Sequence, residues 1–294
     1  MGVKRFLVSL TTFIICLLTY LTAPRALSIW KKAEKKASAG EKPAYYLTPI
    51  LCFHNLDGKG VYSITSAKFR RYMRLIRDHG VQVVPLRTLY RHALEKRLFR
   101  RPSLVITIDD DYKNIVRVAA PILREFNYPA SFFVYTQKIN AGPRAGLSWE
   151  DLRRLRREGF EIQNHSHTHT AFHFPRAGEK MADYRRRVRV EIIHSREILE
   201  KRLPGLKIYA FAYPMGYYSN YLKKKLKYAG YELLLTTDAV PWNLTKKFKG
   251  TMDRFTVQKK KYVHNPERLF LRQLKYAKRK YNPDEKSDIS RPVF

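Results

Sequence analysis

The chain has 294 residues, 45% of them hydrophobic and including 20 Tyr and 16 Phe, which suits one substantial packed core and excludes a disordered chain. Its 58 Lys and Arg against 25 Asp and Glu leave a net charge of +33, a balance that fits nucleic acid, an anionic envelope or a membrane surface. No zinc-finger spacing, basic-zipper heptad or aromatic RNA-binding strand accompanies the charge, so specific nucleic-acid recognition is not expected.

At the N-terminus, Lys4 and Arg5 precede an apolar run from Phe6 to about Thr22, the layout of an export signal. The run falls between a signal core and a full span of about 20 residues, and Ala26 and Ser28 suit the small positions of a cleavage site. Residues 1–28 therefore fit a cleaved signal peptide or a retained membrane anchor, and both place the rest outside the cytoplasm, as a periplasmic, secreted or membrane-anchored protein. Cys16 and Cys52 are the only cysteines, and Cys16 lies in that run, so no disulfide framework is expected. Residues 29–48 read as a basic linker, 49–274 as the domain and 275–294 as a basic tail.

Within the domain, strands and helices alternate. Ile50–His54 reads as a strand, Ser66–His79 as a helix with Phe69, Tyr72, Met73 and Ile76 on one face and Gly80 as its stop. A strand at Val81–Pro85 and a helix opened by Thr88 follow. Leu104–Ile108 is a β-branched apolar run of the kind buried on both faces of a parallel sheet, and it ends in three aspartates. Next come a helix around Lys113–Phe126, the strand Ala130–Tyr135, and a helix opened by the capping box Ser148-Trp149-Glu150-Asp151 and closed by Gly159. The strand Phe160–Gln163 leads into His165-Ser166-His167-Thr168-His169. A charged helix over Tyr184–Leu203, the strand Tyr209–Tyr213, a helix over Ser219–Tyr228, and strands Glu232–Thr236 and Arg254–Val257 complete the series. Repeated βα units of this kind imply a parallel sheet or barrel, with ligand chemistry on loops at the carboxyl ends of the strands. Three polar clusters fall at such ends: Asp109–Asp111, His165–His169 and the turn Pro214-Met215-Gly216.

Two histidines at i and i+4 with a carboxylate make a common ligand set for a catalytic zinc, which points to His165 and His169 with Asp110. Adjacent strand-end aspartates splay to different sides, leaving Asp109 to accept a proton from the attacking water. Hydrolysis also needs donors for a tetrahedral oxyanion, and the Met215 N–H in the turn after Pro214 is one. Trp149, Tyr217, Tyr218 and Trp242 suit sugar stacking or core packing alike.

These residues resemble the polysaccharide deacetylase family, the NodB-homology domains of carbohydrate esterase family 4, over roughly Pro49 to Leu274. Thr107-Ile108-Asp109-Asp110-Asp111-Tyr112 is similar to the family's Thr-Phe-Asp-Asp-Gly-Tyr motif, and His165-Ser166-His167-Thr168-His169 to its His-Thr-x-x-His motif. Leu147-Ser148-Trp149 and Gly159-Phe160-Glu161-Ile162 match its usual run as well. The resemblance implies a distorted (β/α)7 barrel, a Zn²⁺-type or other first-row divalent metal on Asp110, His165 and His169, Asp109 as catalytic base, and N-acetylglucosamine polysaccharide as substrate. Three departures stand out. Asp111 replaces the usual Gly, adding charge beside the metal and stiffening the turn. Ala212 stands where many members carry an Arg that orients the base, so no such Arg is evident, and the Tyr-Pro-x-Gly form here resembles the poly-N-acetylglucosamine de-N-acetylase branch. The C-terminal Leu-x-His acid motif is also missing, since the matching strand reads Arg254-Phe255-Thr256-Val257. Phe53-His54 resembles that branch's Tyr-His, which nominates His54 as proton donor, with His264, His167 and His173 as alternatives. The departures also motivate a second expectation, a non-catalytic envelope glycan-binding protein on the same fold.

Overall fold

The apolar runs become the staves of a curled parallel sheet with helices around its outside. The computed structural model describes residues 45–140, 146–244, 247–258 and 265–281. The expected export segment, most of the linker, Cys16 and His264 lie outside the described residues. Among those described, no helix is long and apolar enough to cross a membrane.

The staves in chain order are β2 (Ile50–Phe53), β4 (Ser103–Asp109), β5 (Ser131–Val134), β6 (Glu161–Asn164), β7 (Ala210–Ala212) and β8 (Leu233–Leu235), each parallel to the next. The short β3 (Gln82–Val83) pairs with the start of β4. The last stave is split. Its first half, β9 (Thr251–Met252), pairs with β8, and its second half, β10 (Phe255–Thr256), pairs with β2 at the opposite end of the sheet. Asp253 and Arg254 span the break, so the chain itself links the two edges and the distorted (β/α)7 barrel is the observed architecture.

Alternation along each strand sorts the core into two layers. Ile50, Val105, Phe133, Ala210, Leu233 and Met252 fill the barrel interior, while Leu51, Phe53, Ile106, Phe132, Phe211 and Leu234 face the helices. Each fully buried Leu, Ile or Phe contributes about 1.5–3 kcal/mol, so both layers are held tightly enough to fix what stands on their rim. The helices begin where the sequence provides caps. Thr65 accepts from the Lys68 N–H ahead of Ser66–Asp78, and Ser148 and Asp151 complete the expected capping box ahead of Trp149–Arg157. The charged helix runs as Met181–Arg189, a π-turn Val190–His194 and Ser195–Arg202.

A last helix, Pro266–Lys278, capped by Asn265, buries Phe270, Leu274 and Ala277 and stacks Phe270 on Tyr72 at 4.0 Å between ring centroids. After it, β11 (Lys280–Tyr281) pairs antiparallel with β1 (Tyr45–Tyr46). The packed body thus reaches from Tyr45 to Tyr281, wider at both ends than residues 49–274, because these terminal segments read in sequence as merely basic.

Candidate active site

The strands deliver their polar ends to one cavity of about 1120 Å³, whose lining includes His54, Asp109, Asp110, His165, His169, Met215 and Arg254. Asp109 is the last residue of β4, and Asp110 follows with a φ of 76°, a left-handed turn that swings its carboxylate away from the strand direction. Ligand atoms of Asp110, His165 and His169 lie within 4.8 Å of one another. His169 Nε2 is 3.2 Å and His165 Nε2 3.9 Å from Asp110 Oδ1. His165 Nδ1 lies 2.9 Å from the carbonyl of Ala212; a carbonyl only accepts, so that nitrogen carries the proton and Nε2 presents its lone pair to the cavity. Asp110 Oδ1 is buried without a hydrogen-bond partner. An orphaned carboxylate oxygen facing the Nε2 atoms of two imidazoles is a donor set that fits a divalent metal. Burial, with Asp109 and Asp111 nearby, pushes the free Asp110 carboxyl up to about 6, and burial lowers both His165 and His169, so His165 and His169 are held neutral as ligands must be.

The expectation that no Arg orients Asp109 is corrected by Arg254. Its Nη1 and Nη2 each donate to one Asp109 oxygen at 2.7 Å, Nη1 also reaches Thr107 Oγ1, and Nε donates to the Thr236 carbonyl. Burial alone would raise the Asp109 pKa, but the guanidinium, with His165 beside it, outweighs that and holds the carboxyl well below the usual range. Arg254 is the residue at the split of the closing stave, which is why an arginine 145 positions away in sequence lands on the base. Cys52, buried in β2, also touches Asp109 with its thiol. Cys52, His54 and Asp109 form a second close group, in which each Asp109 oxygen also accepts a hydrogen bond from Arg254.

His54 follows β2 at the cavity wall, within 4.8 Å of Asp109 through its ring nitrogen, and its Nδ1 is buried without a partner. Burial lowers its pKa, so the resting ring is neutral near pH 7. Met215 sits in the turn after β7 with a φ of 59°, is exposed, and lines the cavity. The alternatives to His54 are placed elsewhere. His167 is tied to Thr136 at 2.7 Å and packs edge-on against His194, and His173 packs beside Tyr217; neither lines the cavity. Trp149 is core, Trp242 packs on Phe248, Tyr218 bonds Asp238, and Tyr217 lines the cavity half-exposed.

Asp111 does not behave as a stiff glycine substitute. The positive φ falls on Asp110, while the Asp111 side chain turns into the protein to bond Tyr135 and stands outside the ligand cluster. Gly146 makes room for it: a Cβ there would lie 2.1 Å from Asp111 Oδ2.

Sequence reasoning also missed Glu191, which stands on the π-turn and is 2% exposed. Its carboxylate accepts from the His167 and Thr168 N–H groups at 3.0 Å and from the Thr168 hydroxyl. The other N–H groups of the histidine loop are met by the Val134 carbonyl, Asn164 Oδ1 and Ser166 Oγ. Every backbone donor from His165 to His169 is therefore bonded, which holds the left-handed Ser166 and His169 in place. A π-turn often marks a functional position and has no plain sequence signature.

A parallel barrel whose rim brings two histidines and an aspartate, a donor set that suits a metal, beside an arginine-gripped carboxylate has the parts that metal-assisted hydrolysis uses. Residues 96–234 match the family model for polysaccharide deacetylase. YxkH of Bacillus subtilis, assigned by name to the polysaccharide deacetylases, is 22% identical over 216 residues, 73% of each chain. The poly-beta-1,6-N-acetyl-D-glucosamine N-deacetylase of Staphylococcus epidermidis is 24% identical over 173 residues, 58% of this chain and 59% of that one. Among solved structures, IcaB from Ammonifex degensii superposes with a TM-score of 0.65 at 21% identity, covering 80% of this chain and 98% of that one. The Streptococcus pyogenes deacetylase PplD in complex with acetate superposes at 0.62 with 21% identity, covering 78% and 99%. Likeness at these identities speaks for the fold.

Proposed function

We propose that the protein removes N-acetyl groups from N-acetylglucosamine-containing polysaccharide outside the cytoplasm, using a divalent metal held by Asp110, His165 and His169. The observation that carries this reading is the convergence of those three side chains with Asp109 in one cavity, Asp109 being gripped by Arg254. When bound, Zn²⁺ or another first-row ion supplies Lewis acidity, lowering the pKa of water towards about 7 and polarising the acetyl carbonyl.

Asp109 takes one proton from the attacking water as its oxygen bonds to the carbonyl carbon. Arg254 keeps that carboxylate ionised and aimed, so it is available as a base at neutral pH. In this reading the Met215 N–H, on the turn after β7, donates to the oxyanion. As the C–N bond breaks, the sugar nitrogen needs a proton, and neutral His54 beside Asp109 passes the water's proton on to it. Acetate and a free amino sugar result. The excess of basic residues, in this reading, holds the enzyme to an anionic envelope or membrane surface.

The non-catalytic alternative rested on an unoriented base, an intrusive Asp111 and a missing acid; Arg254 removes the first motive and the Gly146 pocket weakens the second. The test is a panel of peptidoglycan, poly-N-acetylglucosamine and chitin oligomers incubated with full-length protein, scored for free amine and acetate. Release from an N-acetylglucosamine polymer supports the reading; glycan binding with no release from any of them, metal present, supports the alternative.

A further inference from the structure

Each stave of the barrel has two ends, and the proposed chemistry uses only one. The staves are parallel, so the segments that lead into them gather on the face opposite the cavity. That face is basic. Arg100 and Arg101 stand just before β4, Lys207 before β7, Lys227 before β8, and Lys247 and Lys249 before β9, all of them exposed. None of the six has an ion-pair partner among the described residues, whereas the carboxylates of neighbouring turns, Glu95, Glu125 and Glu158, are paired with Arg97, Arg70 and Arg124.

Helix geometry does not account for this cluster. Cations collect in last helical turns because they complement the helix dipole, and Lys227 is placed so, but the other five lie on loops. The carboxyl ends of the strands carry acids instead: Asp57 after β2, Asp109–Asp111 at the end of β4 and Asp238 after β8.

Two observations say which anion this basic face meets. Tyr228, beside Lys227, is 87% exposed, the most open of the large hydrophobic side chains among the described residues. An aromatic ring with a polar tip, set among cations, suits the boundary between lipid headgroups and acyl chains, where a soluble polyphosphate would give the ring no apolar contact. The chain also enters the packed body here: ahead of β2, Thr48 bridges to Trp242 and the Pro49 carbonyl accepts from the Val105 N–H. The expected export segment, with its apolar run from Phe6 to about Thr22, is therefore joined to the body on this face.

We infer that the face at the amino ends of the strands docks on the anionic phospholipid surface of a membrane, which turns the cavity away from the bilayer. The inference rests on the anionic-surface part of the reading above and names the surface and the face that meets it. It does not depend on the deacetylase chemistry.

The test sediments full-length protein with vesicles of phosphatidylcholine alone and of phosphatidylcholine with about one-third phosphatidylglycerol, and reads the ratio of the two partition coefficients. The apolar run contributes to both, so the ratio isolates charge. Each cation held at an anionic surface is worth about fivefold in partitioning, so Lys207→Gln, Lys247→Gln and Lys249→Gln together should lower the ratio roughly a hundredfold. Lys59→Gln, Lys138→Gln and Lys180→Gln remove the same charge from exposed positions beyond the carboxyl ends of the strands, more than a screening length of about 10 Å from the docked lipid, and should lower it less than about fivefold. Tyr228→Ala should weaken binding to the anionic vesicles several-fold with the charge unchanged. Equal losses in the two triple variants, or no loss in either, would overturn the face. A first triple variant that binds vesicles like the wild type but loses affinity for soluble polyphosphate would overturn the membrane as the partner. Acetate release by the same proteins from a soluble N-acetylglucosamine pentamer is a separate readout, so failure of the docking face and failure of the deacetylase reading are told apart.

Discussion

Replacing Arg254 with methionine tests the least expected feature of the site. Arg254 is 0% exposed and Asp109 1% exposed, and each Asp109 oxygen is held by one nitrogen of the fork. Methionine keeps much of the side-chain volume, so the change is mainly the loss of a counter-charge. Removing one partner of a buried pair typically costs about 3–5 kcal/mol. With about 2–4 °C of melting temperature per kcal/mol in a domain of this size, the midpoint near pH 7 should fall by roughly 6–20 °C. The sign of its pH dependence follows from Asp109. In the wild type its native pKa is depressed, so the pair contributes stability that is complete above the unfolded value of about 3.9 and is lost only as pH falls through the lower native value. In the variant, the guanidinium no longer offsets burial, which raises the native pKa above the unfolded one. The penalty is then largest near pH 7 and shrinks towards about pH 4, as Asp109 takes up a proton. Thermal melts of both proteins followed by circular dichroism across that range measure the gap. A gap that stays constant with pH, or one below about 1 kcal/mol throughout, would refute the claim that Arg254 neutralises an ionised Asp109.

Arg254→Lys keeps the charge but not the two-pronged geometry, and should melt between the wild type and the methionine variant. Glu191→Ala leaves the His167 and Thr168 N–H groups unmet and should raise the metal dissociation constant by about 10–100-fold in competition with a chromophoric chelator; unchanged affinity would remove Glu191 from the account. Gly146→Ala drives a methyl into Asp111 and should destabilise by about 1–3 kcal/mol in denaturant titrations, yet cost far less when Asp111→Gly is present. Strictly additive losses would show that the two residues do not meet. His54→Gln should lower kcat about 10²–10⁴-fold while leaving metal content intact, and a loss confined to KM would rule out proton transfer.

Local signals made most of the barrel readable. Leu104–Ile108 reads as a buried strand because its apolar run is continuous, and the Ser148–Asp151 cap is visible because both partners lie within one helical turn. The proposed ligand set was equally open to reading, since His165 and His169 stand four residues apart just after one strand and Asp110 directly follows another. What sequence could not carry was contact across distance. Arg254 reaches Asp109 only because the last stave breaks between Met252 and Phe255 and joins opposite edges of the sheet, and nothing in Arg254-Phe255-Thr256-Val257 announces that break. Glu191 was hidden in the same way, as one charge among many on a helix whose π-turn depends on tertiary packing. Asp111 was read from the wrong neighbour, because the left-handed φ belongs to Asp110 and the space for its side chain comes from Gly146.

The central claim is that Asp110, His165 and His169 hold a metal beside an ionised base to hydrolyse an acetamide. Acetate release from an N-acetylglucosamine pentamer by full-length protein, measured before chelation, after it and after Zn²⁺ is restored, tests this most directly. The account predicts one amine per acetate, loss of release on chelation, recovery with metal, and no recovery in Asp110→Ala. Undiminished release from chelated Asp110→Ala protein would contradict it.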